Sequence, residues 1–326
     1  MTVTDVAPWL VRILAFFWGA IWGSFFNVAI YRWPLELSVV SPPSRCPACE
    51  KEIKAWHNVP IFGWLFLRGR AACCGAKISP RYPLIELITA ITAVAIAQTV
   101  ILQADAHAGL LNVSMQALIY FFFAGGLIVA TFVDLDWMQI PDEVSLPGTA
   151  LGLITCSFRT WPGAVPCAVG AGLGYLIVQF LFVWGYERLF GRRGMGEGDS
   201  KLLMMIGAFI GYKGVLFALV AGSFQGIFYA GTMLVFGRSV TPPNALEPEE
   251  QPDNHRSNLR EVMPQLVDVD KAAAPIEGDG SADVDVSPLR HLRIPFGPFL
   301  ALGALEYFFW GDAIIDGYFR FLRSFW

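Results

Sequence analysis

Charge is scarce in this sequence. Lys, Arg, Asp and Glu make up 15% of its 326 residues, against about 25% in soluble globular domains. That shortage excludes an ordinary soluble domain. The net charge is −4 with no broad basic surface, which excludes nucleic acid as an expected partner. The six cysteines do not make the disulfide scaffold of a small secreted protein in a chain this long. No cleavable signal peptide is expected. The first apolar run extends too far, with neither a basic start nor a small-residue cleavage site.

What is present is apolar residues, 55% of the chain, gathered in long runs. A run of about 20 apolar residues crosses a bilayer core. Candidate spans fall at 7–30, 84–104, 113–133, 144–160, 164–186, 201–212, 215–236 and 294–311. The reading is an all-α polytopic membrane protein of about eight transmembrane helices, so the lipid bilayer is an expected partner. The sixth run is short for a core about 30 Å thick at about 1.5 Å of rise per residue. It reads as a re-entrant or tilted piece. Gly170 and Gly174 form a small-xxx-small pair suited to close helix packing.

Two polar segments interrupt the spans and divide the chain. Residues 1–40 hold the first span and the start of a loop, and 41–81 form a small cysteine-rich loop. Residues 82–237 are the main membrane core. In 238–293 acidic residues outnumber basic ones among Pro, Gly and Ala, which reads as a disordered insertion. The last span and tail occupy 294–326. Cations set the orientation. The first loop carries Arg32, Arg45, Lys51, Lys54, Arg68, Arg70, Lys77 and Arg81, and the loop between the second and third spans has none. The positive-inside rule puts the first loop in the cytoplasm, and alternation adds 134–143, 187–200 and 238–293. Arg192, Arg193 and Lys201 agree, whereas Arg320 and Arg323 fall outside.

On this count several carboxylates share the cytoplasmic face. Asp134 and Asp136 end the third span in "FVDLDWMQIPDE", and Asp199 opens the sixth in "GRRGMGEGDSKLL". Ionisable groups at the edge of hydrocarbon are costly and usually functional, although helix ends also attract acids for capping. Asp142 and Glu143, just after Pro141, read as helix N-terminal acids. For Asp134 and Asp199 the chemistry is sharper. Two carboxyls held close share one proton, so one activates water while the other protonates or polarises a carbonyl. Gly196 and Gly198 allow close approach by an extended peptide backbone. A phosphate-binding loop would need a preceding strand and a Gly-Lys-Ser/Thr ending, and neither is here.

The cysteine loop pairs Cys46 and Cys49 with Cys73 and Cys74. Four thiolates fit a tetrahedral structural zinc site, and a reducing cytoplasm favours metal over a disulfide. Cys73 and Cys74 are adjacent, so both can ligate only if the chain turns sharply, with Gly75 placed to help. His57 is an alternative ligand or an ordinary histidine beside Trp56. Cys156 and Cys167 flank the turn "SFRTWPGAVP" as thiols or, as the lesser alternative, a disulfide.

Together these pieces resemble the type IV prepilin peptidases, the leader peptidase/N-methyltransferases. The resemblance rests on "GSFFNVAIYRWP" (23–34), the cysteine loop ending "ISPRYPLIE" (78–86), "DLDWMQIPDE" (134–143) and "GMGEGDSKLL" (194–203), with a weaker echo in "IPFGPFLALGA" (294–304). It implies a catalytic pair at Asp134 and Asp199, with Asp136 the competitor for the first role. It implies a metal quartet at Cys46, Cys49 and Cys74, with Cys73 standing in for a cysteine that would fall at Ala71. Glu86 is an accessory acid or a helix-end residue. Lys201 either tunes Asp199 or reaches for the interface. The implied activity is cleavage of a basic leader from prepilin and pseudopilin precursors at the cytoplasmic face of a bacterial inner membrane. N-methylation with S-adenosylmethionine would follow. A non-enzymatic carrier, with the carboxylates as ion sites, or another GxGD intramembrane protease are the alternatives.

Overall fold

The computed structural model describes residues 2–46, 48–191, 194–236 and 294–323, and among them it is all-helical, without strands. The helices are α1 (Pro8–Arg32), α2 (Phe62–Phe66), α3 (Arg81–Ile96), α4 (Leu110–Trp137), α5 (Asp142–Ile154), α6 (Ala164–Ile177), α7 (Tyr186–Phe190), α8 (Glu197–Val235) and α9 (Gly297–Arg323). A π-helical stretch, Ala97–Leu102, extends α3, and a second, Val178–Gly185, joins α6 to α7. The acidic stretch 238–293, with Arg192 and Arg193, lies outside the described residues.

Five of these helical segments are long and apolar enough to cross a membrane: Pro8–Leu35, Arg81–Leu102, Leu110–Trp137, Ala164–Phe190 and Glu197–Met233. The other expected spans take different forms. The run expected at 144–160 is the 13-residue α5, about 20 Å long, which starts at the acids after Pro141 and stops short. The runs expected at 201–212 and 215–236 are the two halves of α8, two helices that meet at a kink at Gly211 (φ 71°, ψ −179°). That left-handed, extended conformation is open to glycine and strained for other residues. The last helix, α9, carries Glu306, Asp312, Asp316, Arg320 and Arg323 along its length.

Packing follows the small residues. The main partner of α8 is α6, and its neighbours also include α9 and α5; α1 packs on α3. At the α6–α8 contact a Cβ on Gly207 would come 2.1 Å from the Gly170 carbonyl oxygen, and one on Gly174 would come 2.4 Å from that of Leu203. Backbones this close require glycine, as the Gly170/Gly174 spacing predicts. Phe123 of α4 stacks on Phe209 of α8 at 4.3 Å between ring centroids, and both are fully buried.

The break at Gly211 leaves helical carbonyls without amide partners. Arg159, buried in the turn between α5 and α6, supplies them. Its guanidinium donates to the carbonyls of Phe209 (2.8 Å), Ala208 (2.8 Å) and Gly152 (2.7 Å). It thus closes the C-terminal ends of α5 and of the first half of α8. Cys156 and Cys167 beside it are both free thiols.

Candidate active site

Asp134 and Asp199 come from different helices and are both buried. Asp134 sits in the last turn of α4. Met138, in the left-handed region (φ 52°), ends that helix with its amide on the Asp134 carbonyl at 2.9 Å. Asp199 sits in the first turn of α8. Its Oδ2 accepts the Gly196 amide at 3.2 Å, an anchor that the glycine run before the helix makes possible. Asp134 Oδ2 accepts the Gly297 amide at 2.9 Å, from the first residue of α9. The two carboxyls lie within electrostatic reach of each other, and Ile140 packs against the glycine that precedes Asp199 and the glycine that bonds Asp134. A Cβ on Gly198 would meet the Ile140 Cβ at 3.0 Å, and one on Gly297 would meet its Cδ1 at 3.2 Å. Each acid thus has one oxygen fixed by a backbone amide.

Gly297 and Ile140 are site residues that the sequence reading missed. Ile140 is an ordinary apolar residue inside "DLDWMQIPDE". Gly297 lies 163 residues beyond Asp134, and its sole sequence signal was the faint echo at 294–304.

The neighbouring candidates have other partners. Asp136, two residues past Asp134, pairs through both oxygens with Arg81 of α3, at 2.8 and 2.5 Å. Lys201 pairs with both oxygens of Asp142 at 2.6 Å, tying α8 to the start of α5. The buried Glu86 accepts the Ile61 amide at 2.7 Å, so the hydrogen-bond partner it has is not one of the two aspartates. Asn27 clamps α1 to α3 by donating to the Tyr82 carbonyl at 3.1 Å.

The four loop cysteines converge, with all Sγ atoms within 4.8 Å of one another. Two turns of the same construction bring them there. In the first, the Cys46 amide bonds the Lys51 carbonyl and the Glu50 amide bonds that of Cys46. In the second, 25 residues on, the Ala71 amide bonds the Ala76 carbonyl and the Gly75 amide bonds that of Ala71. Glu50 (φ 57°) and Gly75 (φ 72°) occupy equivalent left-handed positions. Ala71 therefore stands where the first turn has Cys46, Cys74 matches Cys49, and Cys73 fills the fourth corner from inside the turn. Sγ–Sγ separations are 3.7 Å (Cys46–Cys74), 3.2 Å (Cys49–Cys73) and 3.9 Å (Cys73–Cys74). A tetrahedron with Zn–S bonds of about 2.3 Å has edges of about 3.8 Å, so the donor set fits a metal of that size. The backbone amides of Ala48 and Cys49 push the Cys46 thiol down to about 6, while hydrogen bonding with Cys49 pushes the Cys73 thiol up to about 12. His57 is outside this cluster.

A model described as "Bacterial Peptidase A24 N-terminal domain" matches residues 17–100, and one described as "Type IV leader peptidase family" matches 121–231. The prepilin leader peptidase/N-methyltransferase of Aeromonas hydrophila is 30% identical, over 95% of this chain and 94% of its own. Proteins of the same description from Stutzerimonas stutzeri (29% identical; 94% and 92% covered) and Klebsiella pneumoniae (33%; 66% and 92%) are also similar. No solved structure matches. Two matched models that together span both cysteine turns and both buried aspartates, with relatives aligned almost end to end, show that this chain is an enzyme of the type IV leader peptidase family.

Proposed function

We propose that the chain is a membrane aspartic endopeptidase. It removes the basic leader from type IV prepilin-like and type II secretion pseudopilin precursors at the cytoplasmic face of a bacterial inner membrane. The observation that carries this reading is the pair Asp134 and Asp199: buried, within electrostatic reach, each anchored through one oxygen. One carboxylate takes a proton from water, and the resulting hydroxide adds to the scissile carbonyl carbon. The other carboxyl gives its proton to the carbonyl oxygen. Collapse of the tetrahedral intermediate expels the new amine, which is protonated from the pair. Overall, one water is added across one peptide bond. The exposed Glu36, Asp142, Glu143 and Glu197 give the rim an acidic character suited to a basic leader. The loop cations support the cytoplasmic orientation.

We infer that Cys46, Cys49, Cys73 and Cys74 hold a structural zinc ion. Four thiolates fill its coordination and leave no position for water. The second reaction, N-methylation of the freed amine, is supported by the names of the relatives. S-adenosylmethionine would supply an electrophilic methyl group to that amine.

The test combines the purified full-length chain in lipid vesicles, a precursor peptide with a basic leader, and methyl-labelled donor, with the product weighed by mass spectrometry. Loss of the leader and gain of one methyl are expected. Cleavage is lost in Asp134→Asn and in Asp199→Asn while both variants still insert. Normal processing by either variant would overturn the assignment.

A further inference from the structure

The cysteine loop does not stay at the helix ends. Ile61 reaches Glu86, five residues inside α3. Phe62 stacks on Phe17 of α1, with ring centroids 6.4 Å apart and planes at 29°. Phe17 lies 15 residues from Arg32, the end of α1 nearest the cysteines, which is about 22 Å along a helix. In a hydrocarbon core about 30 Å thick, that is well below the surface. Phe17 itself is 49% exposed, on the outer face of a span.

The side chains around this contact continue that outer face. Phe62, Leu65 and Phe66 are 37%, 55% and 83% exposed, an unusual display for a loop meant to face water. The backbone is prepared for a medium without water. The Gly63 amide bonds the Val59 carbonyl (2.7 Å), Leu65 bonds Ile61 (3.1 Å) and Leu67 bonds Gly63 (3.1 Å). Ile61, at φ 61° in the turn before α2, has no backbone acceptor, and the buried Glu86 carboxylate supplies one. Non-helical backbone is tolerated at membrane depth only when its polar groups are satisfied in this way. The flanks suit an interface. On one side Lys54 lies over the Trp56 ring at 5.4 Å, and on the other Arg68 and Arg70 follow α2.

We propose that residues 59–67 are a wedge inserted into the hydrocarbon of the bilayer beside α1, so that the cysteine loop is seated in the membrane and does not merely hang beneath it. The occupant of the exposed Phe62–Leu65–Phe66 face is lipid acyl chain, because that face is continuous with the lipid-facing side of α1.

The test uses the full chain in vesicles of phosphatidylethanolamine and phosphatidylglycerol. A photoactivatable benzophenone side chain is placed singly at position 65, 66 or, as the control on the first cysteine turn, 52. At 65 and 66, covalent acyl-chain adducts at least about tenfold above position 52 are expected, since 1.4 kcal/mol of preference already gives that ratio. Equal lipid adducts at 66 and 52 would overturn the proposal. So would adducts at 66 made only to an added precursor peptide or to a second copy of the chain. A second measurement leaves the chain unaltered. Under hydroxyl-radical footprinting in the same vesicles, Phe66 should be oxidised no faster than Phe17. Oxidation about tenfold faster would place Phe66 in water and end the proposal.

Discussion

At the residue scale, the unexpected partner of the proposed catalytic pair is Gly297, whose amide donates to Asp134. A methyl group there would lie 2.8 Å from Asp134 Oδ2, so the carboxyl must turn away. Misplacement of a reacting group by about 1 Å can cost about a hundredfold in rate. Gly297→Ala is therefore expected to cut the rate of leader cleavage by about that factor. Gly231→Ala, where nothing lies within 4 Å, should leave it unchanged; a cleavage time course on both variants checks this. Asp134 and Asp136 are separated by the same reasoning. Asp136→Asn weakens the pair with Arg81 and should leave measurable cleavage, whereas Asp134→Asn should leave none. The resemblance implies Asp134, with Asp136 as competitor; the feature that sets Asp136 apart in the fold, its pairing with Arg81 55 residues away, leaves no local sequence signal. The cysteines give a further test. If Cys73 substitutes for the ligand missing at Ala71, Cys73→Ala should lose bound zinc. The double variant Ala71→Cys/Cys73→Ala should recover about one zinc per chain by elemental analysis.

At the element scale, hydrophobic runs made the helices legible and left their interruptions hidden. The gap between the runs at 201–212 and 215–236 marks the neighbourhood of the kink at Gly211 without revealing how the two helices meet there. The π-helical stretches at Ala97–Leu102 and Val178–Gly185 leave no trace in composition, since apolar residues suit either winding. Arg159 was read only as part of an outer turn. Its purpose depends on carbonyls from Gly152, Ala208 and Phe209 that assemble only in the fold. Hydrogen bonds to a charged group contribute about 1.5–3 kcal/mol each. Arg159→Met is thus expected to destabilise the protein by about 3 kcal/mol or more, read as a lower thermal midpoint in detergent. Arg159→Lys should fall between, because an ammonium lacks the planar fork that reaches several carbonyls at once.

At the scale of the whole molecule, the proposed peptidase pair and the cysteine quartet are separate constructions. The aspartates draw on α4, α8 and α9; the quartet draws only on the loop between α1 and α3. Chelation should therefore raise hydrogen exchange across 41–81 and leave the anchors of Asp134 and Asp199 intact, with exchange followed peptide by peptide. Faster exchange at both sites together would show that they fold as one unit. The broad division into membrane core and cysteine loop was legible from charge and apolar runs alone. The descent of that loop alongside α1 was not, because the run around Phe62–Phe66 is far too short to announce itself as membrane-bound.

The two matching cysteine turns have a topological consequence. They sit at either end of residues 53–69, so a metal held between them would close that stretch into a ring, with Phe62 and Phe66 near its far point. The cage would then act as a clasp, and the reach of the ring's tip would depend on the clasp staying shut. Open, the same residues belong to a longer tether between Arg32 and Arg81, held along the way by the Ile61–Glu86 hydrogen bond and the Phe62–Phe17 stack. Closing a loop limits the positions its middle can visit. Metal loading would thus set how deep an aromatic tip rests alongside Phe17.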